Sequence, residues 1–149
     1  MIRKAQCIDI SQIQKLINDY ARSGYMLPRS LNELYETIRD FTVYEDNHKI
    51  IGCCALHISW EDLGEIRSLA VEKQSQGKGI GRSLILACIE EAKGLKLKRV
   101  FVLTEIIDFF KKFGFKNIDK SELPHKIWGD CLACIRFPDC NEVALAIVL

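Results

Sequence analysis

The most informative stretch of this sequence is Gln76-Gly77-Lys78-Gly79-Ile80-Gly81-Arg82-Ser83. It follows an apolar segment, residues 66–71, and it begins a helical pattern that runs to about Lys93. A glycine-rich turn at the start of a helix exposes backbone N–H groups that the helix itself cannot pair. Those amides and the positive end of the helix dipole favour a bound anion. The sequence therefore predicts a phosphate-binding loop between a strand and a helix.

The composition is that of a soluble globular protein. The chain has 149 residues, a formal net charge of +1 and 48% hydrophobic residues, which suits one folded domain over residues 1–149. No apolar run reaches the length of a membrane span, and the N-terminus lacks the apolar core of a signal peptide. We therefore predict a cytoplasmic protein with no nucleic-acid partner and no membrane partner.

The hydrophobic periodicity predicts an α+β fold with a largely antiparallel sheet. The first predicted helix has Asp9 as its N-cap and ends at Gly24, and the second uses Ser30 and Glu33 as a capping box. Residues 45–48 are predicted to form a hairpin turn, and Leu63-Gly64 is predicted to interrupt the chain before the next strand. Predicted strands cover residues 2–6, 41–43, 50–58, 65–71, 98–104, 115–118 and 142–149, and later helices cover 80–93 and 106–113.

Two common phosphate-binding motifs do not fit the glycine-rich stretch. A Walker A loop needs Gly-Lys-Ser/Thr at its end, and here Arg82 follows Gly81. A dinucleotide fingerprint needs Gly-x-Gly-x-x-Gly, and neither Gly77 nor Gly79 begins such a series. The pattern that does fit is Gln-x-x-Gly-x-Gly, preceded by Leu69-Ala70-Val71.

With that motif the sequence resembles the GCN5-related N-acetyltransferase (GNAT) superfamily. The resemblance extends in order over nearly the whole chain and includes residues 109–115, Phe-Phe-Lys-Lys-Phe-Gly-Phe. It implies a GNAT fold, a mixed, mostly antiparallel sheet of about seven strands flanked by about four helices. It also implies an N-acetyltransferase that uses acetyl-coenzyme A as its cosubstrate.

The resemblance assigns a set of residues to the coenzyme. Backbone amides of the glycine-rich stretch would bind its pyrophosphate, and the preceding strand would pair with its pantetheine and polarise the thioester. Phe110 stands where many family members carry a general-acid tyrosine, so the leaving thiolate must be protonated in another way. The assigned residues are Leu69, Ala70, Val71, Gln76, Gly77, Lys78, Gly79, Ile80, Gly81, Arg82, Ser83 and Phe110.

A narrower resemblance, to the acetyltransferase domain of N-acetylglutamate synthases, concerns the acceptor. Leu27-Pro28-Arg29-Ser30 matches the loop whose arginine binds an amino-acid carboxylate, and the planar guanidinium suits that ion. The resemblance makes Glu65 the base and places Thr104 near the acceptor amine, with Arg136 as a second carboxylate-binding candidate. It implies acetylation of L-glutamate in arginine biosynthesis, by direct attack without a covalent enzyme intermediate.

Alternatives stay open at this stage. Another small amine or a protein N-terminus could be the acceptor, and the chain could instead be a metal- or redox-responsive module that binds acetyl-coenzyme A without turnover. Glu65 could be an ordinary strand-end glutamate, and a homodimer is compatible with the sequence. Cys131, Cys134 and Cys140 lie near His125 in a loop rich in Pro and Gly, where free thiols packing with Trp128 are favoured over a zinc site or a labile disulfide.

Overall fold

The computed structural model describes residues 1–24, 26–124 and 142–149. These described residues fall into two compact units, the first made of those within 1–57 and 66–95 and the second of those within 58–65 and 96–149. The described residues contain seven strands and four α-helices, which confirms the predicted fold class. The strands are β1 (Ile2–Lys4), β2 (Phe41–Asp46), β3 (Lys49–Trp60), β4 (Leu63–Val71), β5 (Arg99–Thr104), β6 (Lys116–Asn117) and β7 (Val143–Val148). The helices are α1 (Ile10–Arg22), α2 (Leu31–Glu36), α3 (Ile80–Gly94) and α4 (Ile107–Lys111).

The first unit is built on the strand order β1-β2-β3-β4. β1 pairs antiparallel with β2, and β2 pairs antiparallel with β3 in a register that places Phe41 opposite Ala55. The predicted hairpin turn is confirmed but is only two residues long, because Asp46 still pairs with Lys49. Asn47 and His48 both have positive φ, 49° and 63°, as the tight turn between two twisted strands requires.

Two helices cover this sheet with apolar faces. The buried residues of α1, Ile10, Ile13, Leu16 and Ile17, recur at helical spacing and pack in one core cluster with residues of β2 and β3. α3 approaches β3 closely at Gly52, where a Cβ atom would lie 3.1 Å from side-chain atoms of both Ile80 and Leu84. A glycine at this position therefore lets the first turn of α3 sit against the sheet.

Asp9 is the N-cap residue of α1, as predicted, but its side chain makes no capping hydrogen bond to the helix. It belongs to a 3-10 turn, Cys7–Asp9, that precedes the helix. Its carboxylate accepts two hydrogen bonds from Arg3, at 2.7 and 3.0 Å, and one from the Gln6 N–H at 2.7 Å. The Arg3 guanidinium thereby lowers the pKa of Asp9 below its ordinary value.

We expect Asp9→Asn to destabilise the protein at neutral pH by about 1.5–3 kcal/mol, because a buried charge-assisted network is lost. A carboxyl with a lowered folded-state pKa contributes this stability above its unfolded pKa of about 3.9 and loses it as the pH falls further. The difference between wild type and variant should therefore shrink below about pH 4. Urea unfolding at several pH values measures it, and a difference independent of pH would contradict this role.

Helix α2 begins where the sequence predicts. The Ser30 hydroxyl accepts the Glu33 N–H at 3.1 Å, which confirms the N-cap. The second hydrogen bond of a capping box, from the Ser30 N–H to the Glu33 carboxylate, is replaced. The Glu33 carboxylate instead contacts the Ser30 hydroxyl and the Arg29 side chain. The helix ends at Glu36, and a separate 3-10 turn, Ile38–Asp40, leads into β2.

The second unit contains the strand order β5-β7-β6, with both pairs antiparallel. Its core holds Leu63, Phe101 and Leu123 together with Ala144 and Ala146 of β7. The predicted break at Leu63-Gly64 is wrong, since β4 already begins at Leu63 and the chain turns just before it, at residues 61–62. No helix in the described parts of the chain is long and apolar enough to cross a bilayer.

Candidate active site

The glycine-rich stretch forms an exposed loop that ends in the first turn of α3. Gly77 and Gly79 have φ near +80°, a conformation that side chains disfavour, and Gly79 is the N-cap of the helix. The first N–H that bonds back into the helix is that of Ser83, to the Gly79 carbonyl at 3.0 Å. In the part of the chain that the structure describes, no atom beyond the glycine and its two chain neighbours lies within 4 Å of a Cβ built on Gly77 or Gly79. The loop thus offers N–H donors and open space to an anion.

The side chains of this loop divide into two groups. Lys78 and Arg82 are exposed and add positive charge beside the amides. Gln76 and Ser83 instead bond the protein itself, since the Gln76 amide donates to the Tyr20 hydroxyl and the Ser83 hydroxyl donates to the Gly79 carbonyl at 3.0 Å. The side chains of Gln76 and Ser83, two of the predicted binding residues, therefore stabilise the conformation of the loop.

Tyr20 of α1 is a residue that the sequence did not single out for the site. Its hydroxyl donates a hydrogen bond to the Val71 carbonyl and accepts one from Gln76. Partial burial raises the pKa of Tyr20, so the phenol stays protonated at neutral pH and keeps its donor role. Tyr20 therefore ties together the end of β4, the glycine-rich loop and α1.

We expect Tyr20→Phe to lower the free energy of unfolding by about 1 kcal/mol, the usual value of a lost hydrogen bond, and to raise the Michaelis constant for acetyl-coenzyme A. Tyr35→Phe is the matched control, because Tyr35 is exposed on α2. Urea unfolding and steady-state kinetics measure the two effects. Equal behaviour of the two variants would show that the Tyr20 hydroxyl does not hold the loop.

Strand β4 contains a local break in its regular backbone. Ser68 has φ of +53°, which is uncommon for a residue other than glycine and costs on the order of 1–3 kcal/mol. Its carbonyl accepts a weak hydrogen bond from the Cys53 thiol at 3.5 Å. The break comes directly before Leu69-Ala70-Val71, of which Ala70 is buried and Leu69 is half-buried. Such strain is typical of functional strands.

A pocket with a volume of about 190 Å³ lies within the first unit beside this break. It contains two guanidinium groups and an imidazole–carboxylate pair, so it suits a small, charged ligand. The lining residues that carry a polar side chain are Arg29, Glu33, Glu36, Thr37, Asp40, His57, Arg67 and Ser68.

Arg29 is held at this pocket through its backbone. Asn18 accepts the Arg29 N–H and Gln14 donates to the Arg29 carbonyl, both at 3.2 Å, from adjacent turns of α1. The guanidinium is partly exposed and contacts the Glu33 carboxylate at 3.4 Å. Because that contact is long and solvent-screened, it competes little with a carboxylate ligand.

Three other predicted site residues belong to the second unit. Glu65 and Thr104 are buried in the second unit, where the Thr104 hydroxyl accepts the Ile106 N–H at 3.0 Å. Phe110 is also buried, edge-on against Phe109 and Phe115, so its predicted contact with the coenzyme stays a prediction.

Part of the predicted site lies outside the described residues. Among the described residues no cluster of three His, Cys, Asp or Glu side chains could hold a metal ion. The residues that fall outside are Arg136, Cys131, Cys134, Cys140, His125 and Trp128.

Comparisons with known proteins agree with this geometry. The family model described as an acetyltransferase (GNAT) domain matches residues 37–117. An uncharacterized N-acetyltransferase of Chlorobaculum tepidum is 41% identical over 97% of this chain and 93% of its own length. An amino-acid acetyltransferase of Mycobacterium tuberculosis is 36% identical over 87% of this chain and 76% of its own length.

Solved structures give the same result. The N-acetylglutamate synthase of Neisseria gonorrhoeae, in complex with coenzyme A and N-acetyl-glutamate, has a TM-score of 0.91 and 32% identity over all of this chain and 35% of its own. A Mycobacterium tuberculosis protein in complex with CoA has a TM-score of 0.87 and 32% identity, covering 100% of this chain and 99% of its own.

The strand with its break, the glycine-rich loop and the helix after it define an acetyltransferase of the GNAT type. The chain belongs to the GNAT acetyltransferase family, as the match over residues 37–117 and the relatives show. The predicted family, fold and enzyme class are therefore confirmed.

Proposed function

We propose that this enzyme transfers the acetyl group of acetyl-coenzyme A to the α-amino group of an amino acid. The favoured acceptor is L-glutamate, which would make it a cytoplasmic N-acetylglutamate synthase of arginine biosynthesis. The observation that carries the proposal is the open loop at Gly77 and Gly79, which ends in the first turn of α3 in a GNAT chain. A related structure contains coenzyme A and N-acetyl-glutamate, the two products of this reaction, and so supports both the donor and the acceptor.

The donor would bind along β4 and the glycine-rich loop. The pyrophosphate would accept hydrogen bonds from the loop amides, with Lys78 and Arg82 adding charge. Beyond the break at Ser68, backbone groups of Leu69 and Ala70 would pair with the pantetheine amides and polarise the thioester carbonyl.

The acceptor would bind with its carboxylate on Arg29. The guanidinium can bond a carboxylate in a bidentate manner, and the pocket of about 190 Å³ has the size of a small amino acid. Arg136 is proposed to bind the second carboxylate of glutamate. Ser30 supports the loop by capping α2, and Thr104 is proposed to lie near the amine.

The chemistry needs a neutral amine, so a base must take one proton from the acceptor's ammonium. Glu65 is the sequence-based candidate for that base, acting directly or through water. The amine then attacks the thioester carbonyl, the C–N bond forms, the C–S bond breaks and coenzyme A leaves as its thiol. Phe110 has no ionisable proton, so it cannot serve as the general acid that a tyrosine would supply.

The proposal is tested by the release of coenzyme A thiol from acetyl-coenzyme A in the presence of single L-amino acids. We expect the highest kcat/KM with glutamate and lower values with glutamine, aspartate and glycine. Turnover with a different amine and none with glutamate would contradict the glutamate assignment. Absence of turnover with every amino acid, for protein that remains folded, would contradict the proposed function itself.

A further inference from the structure

The pocket of the first unit contains an imidazole and a carboxylate in direct contact. The Nδ1 atom of His57 lies 2.7 Å from the Oδ2 atom of Asp40, and the two side chains are only 26% and 24% exposed. The sheet itself sets this geometry, because Asp40 directly precedes Phe41, which pairs with Ala55, two residues before His57. The pair is therefore fixed by the register of β2 and β3.

This contact assigns the two ring nitrogens different roles. A carboxylate accepts hydrogen bonds, so Nδ1 carries the proton and donates it to Asp40. In the neutral ring, Nε2 then holds the lone pair that can receive a proton from a ligand. A carboxylate that orients an imidazole in this way is the arrangement of a general base in hydrolases.

His57 is the imidazole among the lining residues, and the lining carboxylates already accept hydrogen bonds. Glu33 accepts from Ser30 and Arg29, Glu36 accepts from Asn32, and Asp40 accepts from His57. Histidine is the side chain that most often serves as a general base, so His57 is the best candidate among these lining groups. The titratable and charged groups that line the pocket with His57 are Arg29, Glu33, Glu36, Asp40 and Arg67.

We propose that His57, oriented by Asp40, is the catalytic residue that accepts the ammonium proton of the amino-acid acceptor. This inference rests on the proposed function, and it assigns to His57 the first proton transfer that the sequence assigned to Glu65. An acceptor whose carboxylate lies on Arg29 occupies the same pocket as His57.

The proton balance of the reaction is complete without any further reactant. One ammonium proton moves to Nε2, and the neutral amine attacks the thioester carbonyl. The C–N bond forms and the C–S bond breaks, while a second proton passes from the amine nitrogen to the leaving sulfur. His57 finally releases its proton to water.

The test compares the pH dependence of kcat for His57→Gln, Glu65→Gln and His48→Gln with that of the wild type. His48 is the matched control, because it is an exposed histidine in the β2–β3 turn. We expect His57→Gln to lower kcat about 10²-fold or more and to lose the fall in kcat toward acid pH that imidazole protonation causes. Glu65→Gln should keep that fall, and His48→Gln should match the wild type.

Two further variants separate proton transfer from structural support. Added imidazole should restore part of the activity of His57→Ala, and Asp40→Asn should lower kcat with little change in the Michaelis constant for acetyl-coenzyme A. The role of His57 is overturned if the wild type turns over an amino acid and His57→Gln keeps the acid-side fall, or if only Glu65→Gln loses it. A wild type that acetylates no amino acid would overturn the proposed function together with this inference.

Discussion

Arg29→Ala is expected to raise the Michaelis constant for the amino-acid acceptor by 10- to 100-fold, with that for acetyl-coenzyme A nearly unchanged. The range corresponds to about 1.4–2.7 kcal/mol, which is the value of about one charge-assisted hydrogen bond to a carboxylate. Only the Michaelis constant for the acceptor should change, because Arg29 lines the small pocket and is held there by Gln14 and Asn18. Initial rates with each substrate varied in turn measure both constants.

Two variants test the specificity of this effect. Arg29→Lys keeps the charge but loses the planar fork, so it should restore only part of the affinity. Arg22→Ala removes an exposed arginine that pairs with Asp19, and it should leave both constants unchanged. If Arg29→Ala raised both Michaelis constants equally, Arg29 would not be the acceptor's carboxylate ligand.

Gly79→Val is expected to weaken coenzyme binding by about 100-fold or more, which corresponds to about 3 kcal/mol of lost phosphate contacts. Among the described residues, a Cβ on Gly79 meets only its chain neighbours, so the added side chain would occupy the open space where the phosphate is proposed to bind. The residue also has φ of +81°, where a branched side chain is strained by about 1–2 kcal/mol.

Gly24→Val is the control that separates backbone strain from the loss of phosphate contacts in Gly79→Val. Gly24 has almost the same φ, +79°, and a Cβ there also meets no described residue beyond its chain neighbours, but Gly24 follows α1 and lies outside the loop. The two variants should therefore lose similar stability, while only Gly79→Val loses coenzyme affinity in calorimetric titration. Normal coenzyme binding by folded Gly79→Val would show that the pyrophosphate lies elsewhere.

Features that depend on neighbouring residues could be predicted from the sequence. The glycine-rich loop, the Ser30 cap and the turn at Asn47-His48 each follow from local backbone preferences. The hydrogen-bond partner of a polar side chain was less predictable, because residues distant in sequence compete for that side chain. Asp9 is the N-cap residue that the sequence predicts, but its carboxylate accepts hydrogen bonds from Arg3 and not from the amides of α1.

The features that sequence reasoning missed depend on tertiary structure. Tyr20 looked like one more apolar residue of α1, because nothing local shows that its hydroxyl reaches Val71 and Gln76. Asp40 and His57 are 17 residues apart and meet only because β2 and β3 pair in one register. The sequence of β3 could have suggested His57, because His57 is the first polar residue after a continuous apolar run, residues 50–56.

The identity of the product is the sharpest test of the proposal that this enzyme acetylates L-glutamate. Wild-type protein with acetyl-coenzyme A and L-glutamate should form N-acetyl-L-glutamate and coenzyme A thiol in a one-to-one ratio, followed by mass spectrometry and thiol titration. Folded Gly79→Val should form neither product at the same coenzyme concentration. Thiol release without N-acetyl-L-glutamate, or no thiol release from folded wild-type protein, would contradict the account.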